Sequence, residues 1–294
     1  YKMALLRSLA ALGLQPETKA EIITFEWLAK QFIRFYWPLA LRFNIRQATV
    51  PDKDPVVMRL IRNEAAKIDI SPEISVADYK KKHHQSHEKL VAEVAGKAFG
   101  DVIPRFHTVP NRTISPRLYD PRDGGILVSR ESRDFLKSNS KALDLLAIGE
   151  WVRFTEQFTS APRLYEKIQG RPKRSSLKPY REFLASLGED HCFYCSKPFE
   201  GTPDVDHVIP WRFVAEDKVW NLVLACEVCN DGKSSTTPPD RFIKMLNDRN
   251  SDLLGFDKAG LPDRIRKELA EWHGRDLAEN VQMLVERCRA DGFA

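Results

Sequence analysis

The stretch DVDHVIPW, residues 204–211, puts two acids and a histidine beside a run of large apolar side chains. Cysteine pairs stand on both sides of it, with Cys192 and Cys195 before and Cys226 and Cys229 after. In each Cys-x-x-Cys pair a tight turn presents both thiolates to one ion, and two such turns complete a tetrahedron around zinc. Four protein ligands close such a site, so we expect the zinc to be structural and to take no part in catalysis.

The alternatives for these four cysteines are a redox motif and a pair of disulfides. A redox motif needs only one Cys-x-x-Cys, and disulfides are disfavoured in the cytoplasm, where we expect this protein. Structural zinc is therefore the favoured interpretation. The fifth cysteine, Cys288, lies alone in a helical pattern and is predicted to be a small core residue.

The composition is that of an ordinary globular protein. Of the 294 residues, 43% are hydrophobic and 30% are charged, which argues against global disorder. The length favours about two domains. No apolar run approaches the ~20 residues of a membrane helix. Arg7 interrupts the apolar stretch 3–14 and no cleavage pattern follows, so we expect no signal peptide, no membrane association and a cytoplasmic location.

Positive charge is concentrated just before the cysteines. The formal net charge is +5, and residues 162–181 contain one acid, Glu166, against the basic residues Arg163, Lys167, Arg171, Lys173, Arg174, Lys178 and Arg181. Such a strip neutralises several phosphates and gives a salt-sensitive affinity for nucleic acid. A solvated linker is the alternative, and the position beside the cysteines favours the nucleic-acid role. We expect DNA contacts at Arg171, Lys173, Arg174, Lys178 and Lys233.

A cluster of three histidines is a second candidate for a metal site. In KKKHHQSHEK, residues 80–89, His83 and His87 lie one helical turn apart and His84 stands between them. The stretch is dense in lysine, and the histidine–carboxylate signature of a metalloprotease is absent, so a solvated helix face is favoured. His191, directly before the first cysteine, is expected to be a surface residue.

The spacing that follows His207 is the most specific signal in the chain. Thirteen residues separate His207 from Asn221, and eight separate Asn221 from Asn230, which directly follows the last cysteine. With Asp206 and the two cysteine pairs, this pattern resembles the HNH endonuclease family. Within that family it is most similar to the four-cysteine branch that includes McrA-type restriction nucleases. The resemblance spans residues 192–233, about a seventh of the chain.

The resemblance implies a hairpin and a helix around one divalent metal, with strands near 205–209 and 221–224 and a helix from about Cys226. It assigns His207 as the general base, a role that suits a neutral imidazole at physiological pH. Asp206 and Asn230 would offer oxygen ligands to Mg²⁺ or Mn²⁺. Asn221 would tie the loop and orient His207. The second acid, Asp204, is expected on the surface, and these apolar residues are expected to pack under the site: Val208, Ile209, Trp211, Trp220, Leu222 and Leu224.

The expected fold is mostly α with a small α+β unit, because helical periodicity recurs in stretches 24–38, 76–99, 140–158, 176–188, 241–247 and 277–288. A short strand is predicted at 125–129. The proline-rich stretch 104–125 is the best candidate boundary. We predict a helical N-terminal domain (1–130), a helical segment with the basic strip (131–188), a zinc-stapled ββα-metal module (189–236) and C-terminal helices packed on that module (237–294).

The leading functional hypothesis is a metal-dependent DNA endonuclease. The alternative is a zinc-ribbon module or scaffold that binds nucleic acid through the basic strip and does not cut it. A third interpretation makes residues 1–130 a sensor, partner-docking or DNA-binding domain, with the nuclease as its effector. McrA-like proteins often act in bacterial defence against phage, so the resemblance implies restriction or antiviral defence, with other defence proteins as partners.

Overall fold

The computed structural model describes residues 1–15, 22–50, 53–109, 112–113, 115–170, 172, 174–255, 261–272 and 274–293. Within them the chain is mainly helical with small antiparallel sheets, which confirms the predicted fold class. None of the described helices is long and apolar enough to cross a membrane. The chain forms two compact units, residues 1–159 with 164–171 and residues 160–163 with 172–294.

Most of the first unit is helical. Its helices are α1 (Lys2–Gly13), α2 (Phe25–Trp37), α3 (Val56–Lys67), α4 (Val76–Lys82), α5 (His84–Lys97), α6 (Val102–Arg105), α7 (Arg130–Thr155) and α8 (Leu164–Gln169). The strands are β1 (Ile22–Thr24), β2 (Thr108–Val109), β3 (Arg112–Thr113), β4 (Asp120–Arg122) and β5 (Gly125–Leu127). They form an antiparallel β1-β5-β4 sheet and a separate β2–β3 pair.

Local sequence accounts for the bounds of α2. The Thr24 hydroxyl accepts a hydrogen bond from the Trp27 amide at 3.2 Å and caps the first turn. The helix ends before Pro38, as the sequence predicts. The chain then continues as a π-helix, Pro38–Arg42, with the proline at its start, where the missing N–H is tolerated.

The prediction of one helix over 76–99 was wrong. His83 leaves the helical conformation, with φ −131° and ψ 52°, and separates α4 from α5. The break places Tyr79 of α4 and His87 of α5 within one buried aromatic group, with ring centroids 6.1 Å apart. The burial of these two rings is a tertiary effect that outweighs the continuous local pattern.

The chain passes from one unit to the other near residues 160–172. The domain bounds given from the sequence stay predictions. The long helix α7 begins well before the predicted start at 140 and packs along α1. The Ser140 hydroxyl donates to the Ala10 carbonyl at 2.7 Å, and Arg7 Nε lies 2.8 Å from Asp144 Oδ1. These contacts join α7 to the first unit. Along α7, Trp151 is buried whereas Leu146 is 63% exposed.

Gly13 marks the closest approach of α1 to α7. A Cβ atom at this position would lie 2.6 Å from the Leu136 carbonyl carbon, which is backbone and cannot swing away. We therefore expect Gly13→Ala to lower the free energy of unfolding of the first unit by about 1–3 kcal/mol. Urea unfolding measures the loss, and hydrogen exchange of the α1 and α7 amides locates it.

Gly96 provides the matched control for this prediction. It lies in α5 with no atom within 4 Å of an added Cβ. Alanine there is expected to stabilise the helix by up to about 1 kcal/mol. Equal effects of the two substitutions on unfolding would contradict the close packing of α1 on α7.

The second unit contains an antiparallel hairpin, six α-helices and the short 3₁₀ helix Val219–Asn221 among its described residues. The strands are β6 (Asp204–His207) and β7 (Leu222–Ala225), with His207 opposite Leu222 and Asp204 opposite Ala225. The helices are α9 (Lys178–Ser186), α10 (Trp211–Val214), α11 (Glu227–Lys233), α12 (Asp240–Gly255), α13 (Asp263–Ala270) and α14 (Gly274–Ala290). The β6–β7–α11 order is the ββα unit that the sequence predicts between the cysteine pairs.

The core of the second unit lies under the hairpin. Side chains of α9, both strands and α13 form one buried cluster that includes Tyr180, Leu184, Val205, Leu222, Leu224, Ile265 and Leu269. All the residues predicted to pack under the site are buried: Val208, Ile209, Trp211, Trp220, Leu222 and Leu224. Cys288 is buried in α14, as predicted, with the Thr237 hydroxyl 3.3 Å from its sulfur. Helices outside the cysteine segment therefore complete a core that so small a hairpin lacks by itself.

Candidate metal centre and hairpin site

The four paired cysteines converge on one point. Cys192 and Cys195 lie on the turn after α9, Cys226 is the N-cap of α11 and Cys229 lies in that helix. Their sulfur atoms all lie within 4.8 Å of one another. Zn–S bonds of about 2.3 Å in a tetrahedron place the sulfurs about 3.8 Å apart. The cluster therefore fits a structural zinc ion with only a small contraction.

The chemistry of the sulfurs also suits a cation. Burial raises the pKa of Cys192, but backbone N–H groups, led by that of Cys226, overcome this effect and lower it to about 7. Burial and the three neighbouring thiols raise the pKa of Cys229 to about 12. Four thiolates this close repel one another, and a dication between them removes that penalty.

Backbone hydrogen bonds join the first cysteine turn to the hairpin. The Phe193 amide donates to the Leu224 carbonyl at 2.9 Å, and the Cys226 amide lies 3.4 Å from Cys192 Sγ. The metal centre is thus connected directly to β7 and to the start of α11. An ion bound there would hold these elements in register.

The acidic face of β6 is turned toward α11. Asp206 is 7% exposed, and its Oδ2 accepts a hydrogen bond from the Tyr194 hydroxyl at 2.6 Å. Lys233 Nζ lies 3.2 Å from the same oxygen. Burial, followed by the charge of Asp206, raises the pKa of Tyr194 well above its usual range, so the phenol remains a donor. Asp206 is therefore held in place beside a positive charge.

Asn230 meets β6 at Asp204. Its Nδ2 donates to Asp204 Oδ2 at 3.2 Å, so its amide oxygen is the side-chain atom that could hold a cation. Asp204 is half-buried, so part of its side chain lies at the surface. The side-chain alternation of a strand explains the placement, because residues 204 and 206 project from the same face of β6.

His207 lies at the end of β6 with its ring against the following loop. Its Nε2 is 3.0 Å from Asp217 Oδ1, and the two side chains are 11% and 2% exposed. The Ser175 amide and hydroxyl both donate to Asp217 Oδ2, at 2.6 and 2.7 Å. Burial alone would raise the pKa of Asp217, but the hydrogen bonds from His207 and Ser175 lower it to about 2. Asp217 is an anion at physiological pH.

Asn221 closes the base of the β6–β7 loop. Its Oδ1 accepts from the Ile209 amide and its Nδ2 donates to the Ile209 carbonyl, both at 2.8 Å. Asn221 is 1% exposed. This pair of bonds fixes the strand exit directly after His207.

The basic strip is less continuous than the sequence suggests. Lys167 belongs to the first unit and is fully buried near the Phe43 ring, so it is not a phosphate contact. Arg174 lies over the Trp211 ring at 4.7 Å, and exposed Lys178 pairs with Glu182 at 3.7 Å. Two further predicted DNA contacts, Arg171 and Lys173, lie outside the described residues.

Two other side chains expected at the surface are buried in the structure. Lys233, predicted as an exposed lysine near phosphate, is 7% exposed in its side chain and paired with Asp206. Among the histidines of 80–89, His87 is buried beside Glu88. In the described part of the chain, the four paired cysteines are the one group of three or more His, Cys, Asp or Glu residues whose ligand atoms converge.

Sequence reasoning missed Asp217, Ser175 and Tyr194. Asp217 lies in AEDK, residues 215–218, where no spacing sets it apart from other surface acids. Its role becomes visible only when the loop folds back onto His207. The one available signal was that the segment between His207 and Asn221 contains two acids, Glu216 and Asp217, close to the middle of the loop.

Comparison with known proteins agrees with this geometry. The family described as HNH endonuclease matches residues 192–236, the segment with the four cysteines, the hairpin and α11. No curated protein and no solved structure matches the chain. The chain therefore contains an HNH endonuclease domain of the zinc type, with four cysteines placed to bind one metal ion.

Proposed function

We propose that the protein is a metal-dependent endonuclease that hydrolyses phosphodiester bonds of DNA. The observation that carries this proposal is the joint placement of Asp206, His207, Asn221 and Asn230 on one zinc-type hairpin and helix. Each residue type has a distinct use in the hydrolysis of a phosphodiester. An HNH domain implies a nucleic-acid substrate, and the choice of DNA is part of the proposal.

His207 acts as the general base. With Nε2 engaged by Asp217, its Nδ1 is the nitrogen that accepts a proton from the attacking water. Asn221 holds the adjoining loop through Ile209 and so limits movement of the ring. Precise placement matters, because a base displaced by about 1 Å can lose a hundredfold in rate.

Asp206 and Asn230 provide the oxygen atoms for a divalent cation, Mg²⁺ or Mn²⁺. Two contacts support a cation at these two residues. Asp206 already pairs with the positively charged Lys233, and Asn230 donates its amide nitrogen to Asp204, which leaves its oxygen for the cation. When bound, the cation would stabilise the charge that develops on phosphorus and on the leaving oxygen. Lys233, which is paired with Asp206, adds positive charge beside the proposed cation site.

The biological setting that we propose is cytoplasmic restriction or antiviral defence. It is supported by the resemblance to McrA-type nucleases, and the first unit would then sense a trigger or dock a partner of the defence system. Arg174 and Lys178 lie in the second unit with the HNH domain and would contribute to nonspecific DNA affinity.

Metal dependence of plasmid cleavage tests the proposed activity. Purified zinc-loaded protein is expected to nick or linearise supercoiled plasmid with Mg²⁺ or Mn²⁺ and to be inactive after exchange into EDTA. Zinc content is measured in parallel, so that loss of the structural ion is not mistaken for loss of the catalytic one. Tight DNA binding that persists in EDTA, without cleavage under any metal condition or on modified DNA, would support the zinc-ribbon binding module instead.

A further inference from the structure

The loop between β6 and β7 carries an acid to which the HNH resemblance assigns no role. Asp217 is buried, and its Oδ1 faces His207 Nε2 at 3.0 Å. We propose that Asp217 is a positioning residue that holds His207 as the Nε2–H tautomer, so that Nδ1 presents its lone pair to the attacking water. This inference rests on the proposed function, because it assigns a role within the same hydrolytic reaction.

The orientation of the Asp217 carboxylate is set from its other side. Both the amide and the hydroxyl of Ser175 donate to Oδ2, at 2.6 and 2.7 Å. Oδ1 is thereby directed at the His207 ring. An ionised carboxylate only accepts hydrogen bonds, so the nitrogen that faces it must carry the proton.

The backbone of Asp217 is held by helices that flank the HNH domain. The Tyr180 hydroxyl of α9 lies 2.7 Å from the Asp217 carbonyl oxygen and 2.6 Å from Glu268 Oε1 of α13. Glu268 Oε2 accepts from the Val219 amide at 2.9 Å, two residues further along the loop. Residues outside the matched segment 192–236 therefore place the acid.

Asp217 and Asn221 have separable tasks in this arrangement. The Asn221 side chain bonds to the Ile209 backbone among the contacts described, so it fixes where the strand ends. Asp217 contacts the imidazole itself and so determines which nitrogen carries the proton. A change at Asp217 is expected to alter the tautomer while the loop keeps its path.

The substitution Asp217→Asn tests this role with almost no change in shape. The two Ser175 donors would bind the amide oxygen, so the amide NH₂ would face His207 Nε2 and force the ring proton onto Nδ1. An amide at the corresponding place in a serine protease costs about 10⁴ in kcat through the wrong tautomer. We expect kcat for plasmid cleavage to fall by about a hundred- to ten-thousand-fold, with KM and DNA affinity unchanged.

Lys218→Ala is the matched control, since Lys218 is the next residue in the loop and pairs with Glu271 at 3.2 Å, not with His207. It should retain wild-type kcat. A wild-type kcat in folded Asp217→Asn would overturn the proposal. A fall in DNA affinity large enough to explain all of the lost cleavage activity would overturn it as well.

Long-range ¹H–¹⁵N NMR of ¹⁵N-histidine-labelled protein gives a second readout that requires no cleavage. His207, assigned by comparison with His207→Ala, is expected as the Nε2–H tautomer in the wild type and as Nδ1–H in Asp217→Asn. An Nδ1–H tautomer in the wild type would overturn the proposal even if the variant did not fold. If the wild type shows Nε2–H but cuts no DNA with any metal, the proposed function fails while the assigned contact stands.

Discussion

Replacement of His207 by alanine is expected to abolish DNA cleavage and to leave DNA binding intact. A positioned general base contributes about a hundred- to ten-thousand-fold to rate, and no other described side chain occupies its place beside Asp217. The loss should appear in kcat, because the ring acts on the attacking water and not on affinity for the DNA backbone. Supercoiled-plasmid cleavage with Mg²⁺ or Mn²⁺ measures the rate, and a gel-shift titration measures binding.

His191→Ala is the matched control for this substitution. His191 lies in the same unit, directly before Cys192, and its side chain is 54% exposed. Its removal should leave the cleavage rate within about twofold, as is usual for an exposed residue. Undiminished cutting by His207→Ala would show that the base lies elsewhere or that the preparation contains a second nuclease.

Loss of one zinc-binding cysteine is expected to have the second large effect, on the fold of the HNH domain. Cys229→Ser removes one of four converging thiols, and structural zinc contributes about 10–16 kcal/mol of binding free energy in small zinc-dependent domains. Because the first cysteine turn, β7 and α11 meet at this cluster, we expect loss of zinc and of protected amides in β6, β7 and α11. Elemental analysis and hydrogen exchange measure these effects, and cleavage activity should disappear with them.

Cys288→Ser separates loss of a thiol from loss of the metal centre. Cys288 is buried in α14 beside Thr237 and lies outside the cluster. This variant should keep one zinc ion per chain, with at most a modest loss of stability. A Cys229→Ser protein that retains a full zinc ion and wild-type amide protection would contradict a four-cysteine site.

The parts of the candidate site that could be predicted are those encoded by short spacing. Two Cys-x-x-Cys turns bring four sulfurs together because each turn is local and the hairpin between them is short. The resemblance to HNH endonucleases implied the hairpin, the start of α11 near Cys226 and the bonding of Asn221 to the loop, and the structure contains all three. The catalytic roles of Asp206, His207, Asn221 and Asn230 remain proposals that the cleavage experiments decide.

Outside residues 192–236, the helices agree less closely with the apolar periodicity of the sequence. Helical periodicity predicted most helices, yet the break at His83, the early start of α7 and its packing on α1 depend on partners far away in sequence. Ser140 and Asp144 of α7 contact Ala10 and Arg7 of α1, which lie far away in the sequence. A proline or glycine indicates where a helix or strand ends. The extent of a compact unit depends instead on which surfaces are buried together.

By itself, the sequence of this protein predicted the four-cysteine cluster, because each Cys-x-x-Cys pair is a local turn that presents two thiols together. The order of the ββα elements followed from the resemblance that the same segment carries. Tertiary structure alone decided that Asp217 faces His207, that Lys233 is buried against Asp206 and that Lys167 is not available to DNA. These side chains carry no local pattern, and their environment depends on how loops and flanking helices close over the hairpin. The physical reason is that burial and charge pairing are properties of surfaces brought together in space, which no spacing along the chain records.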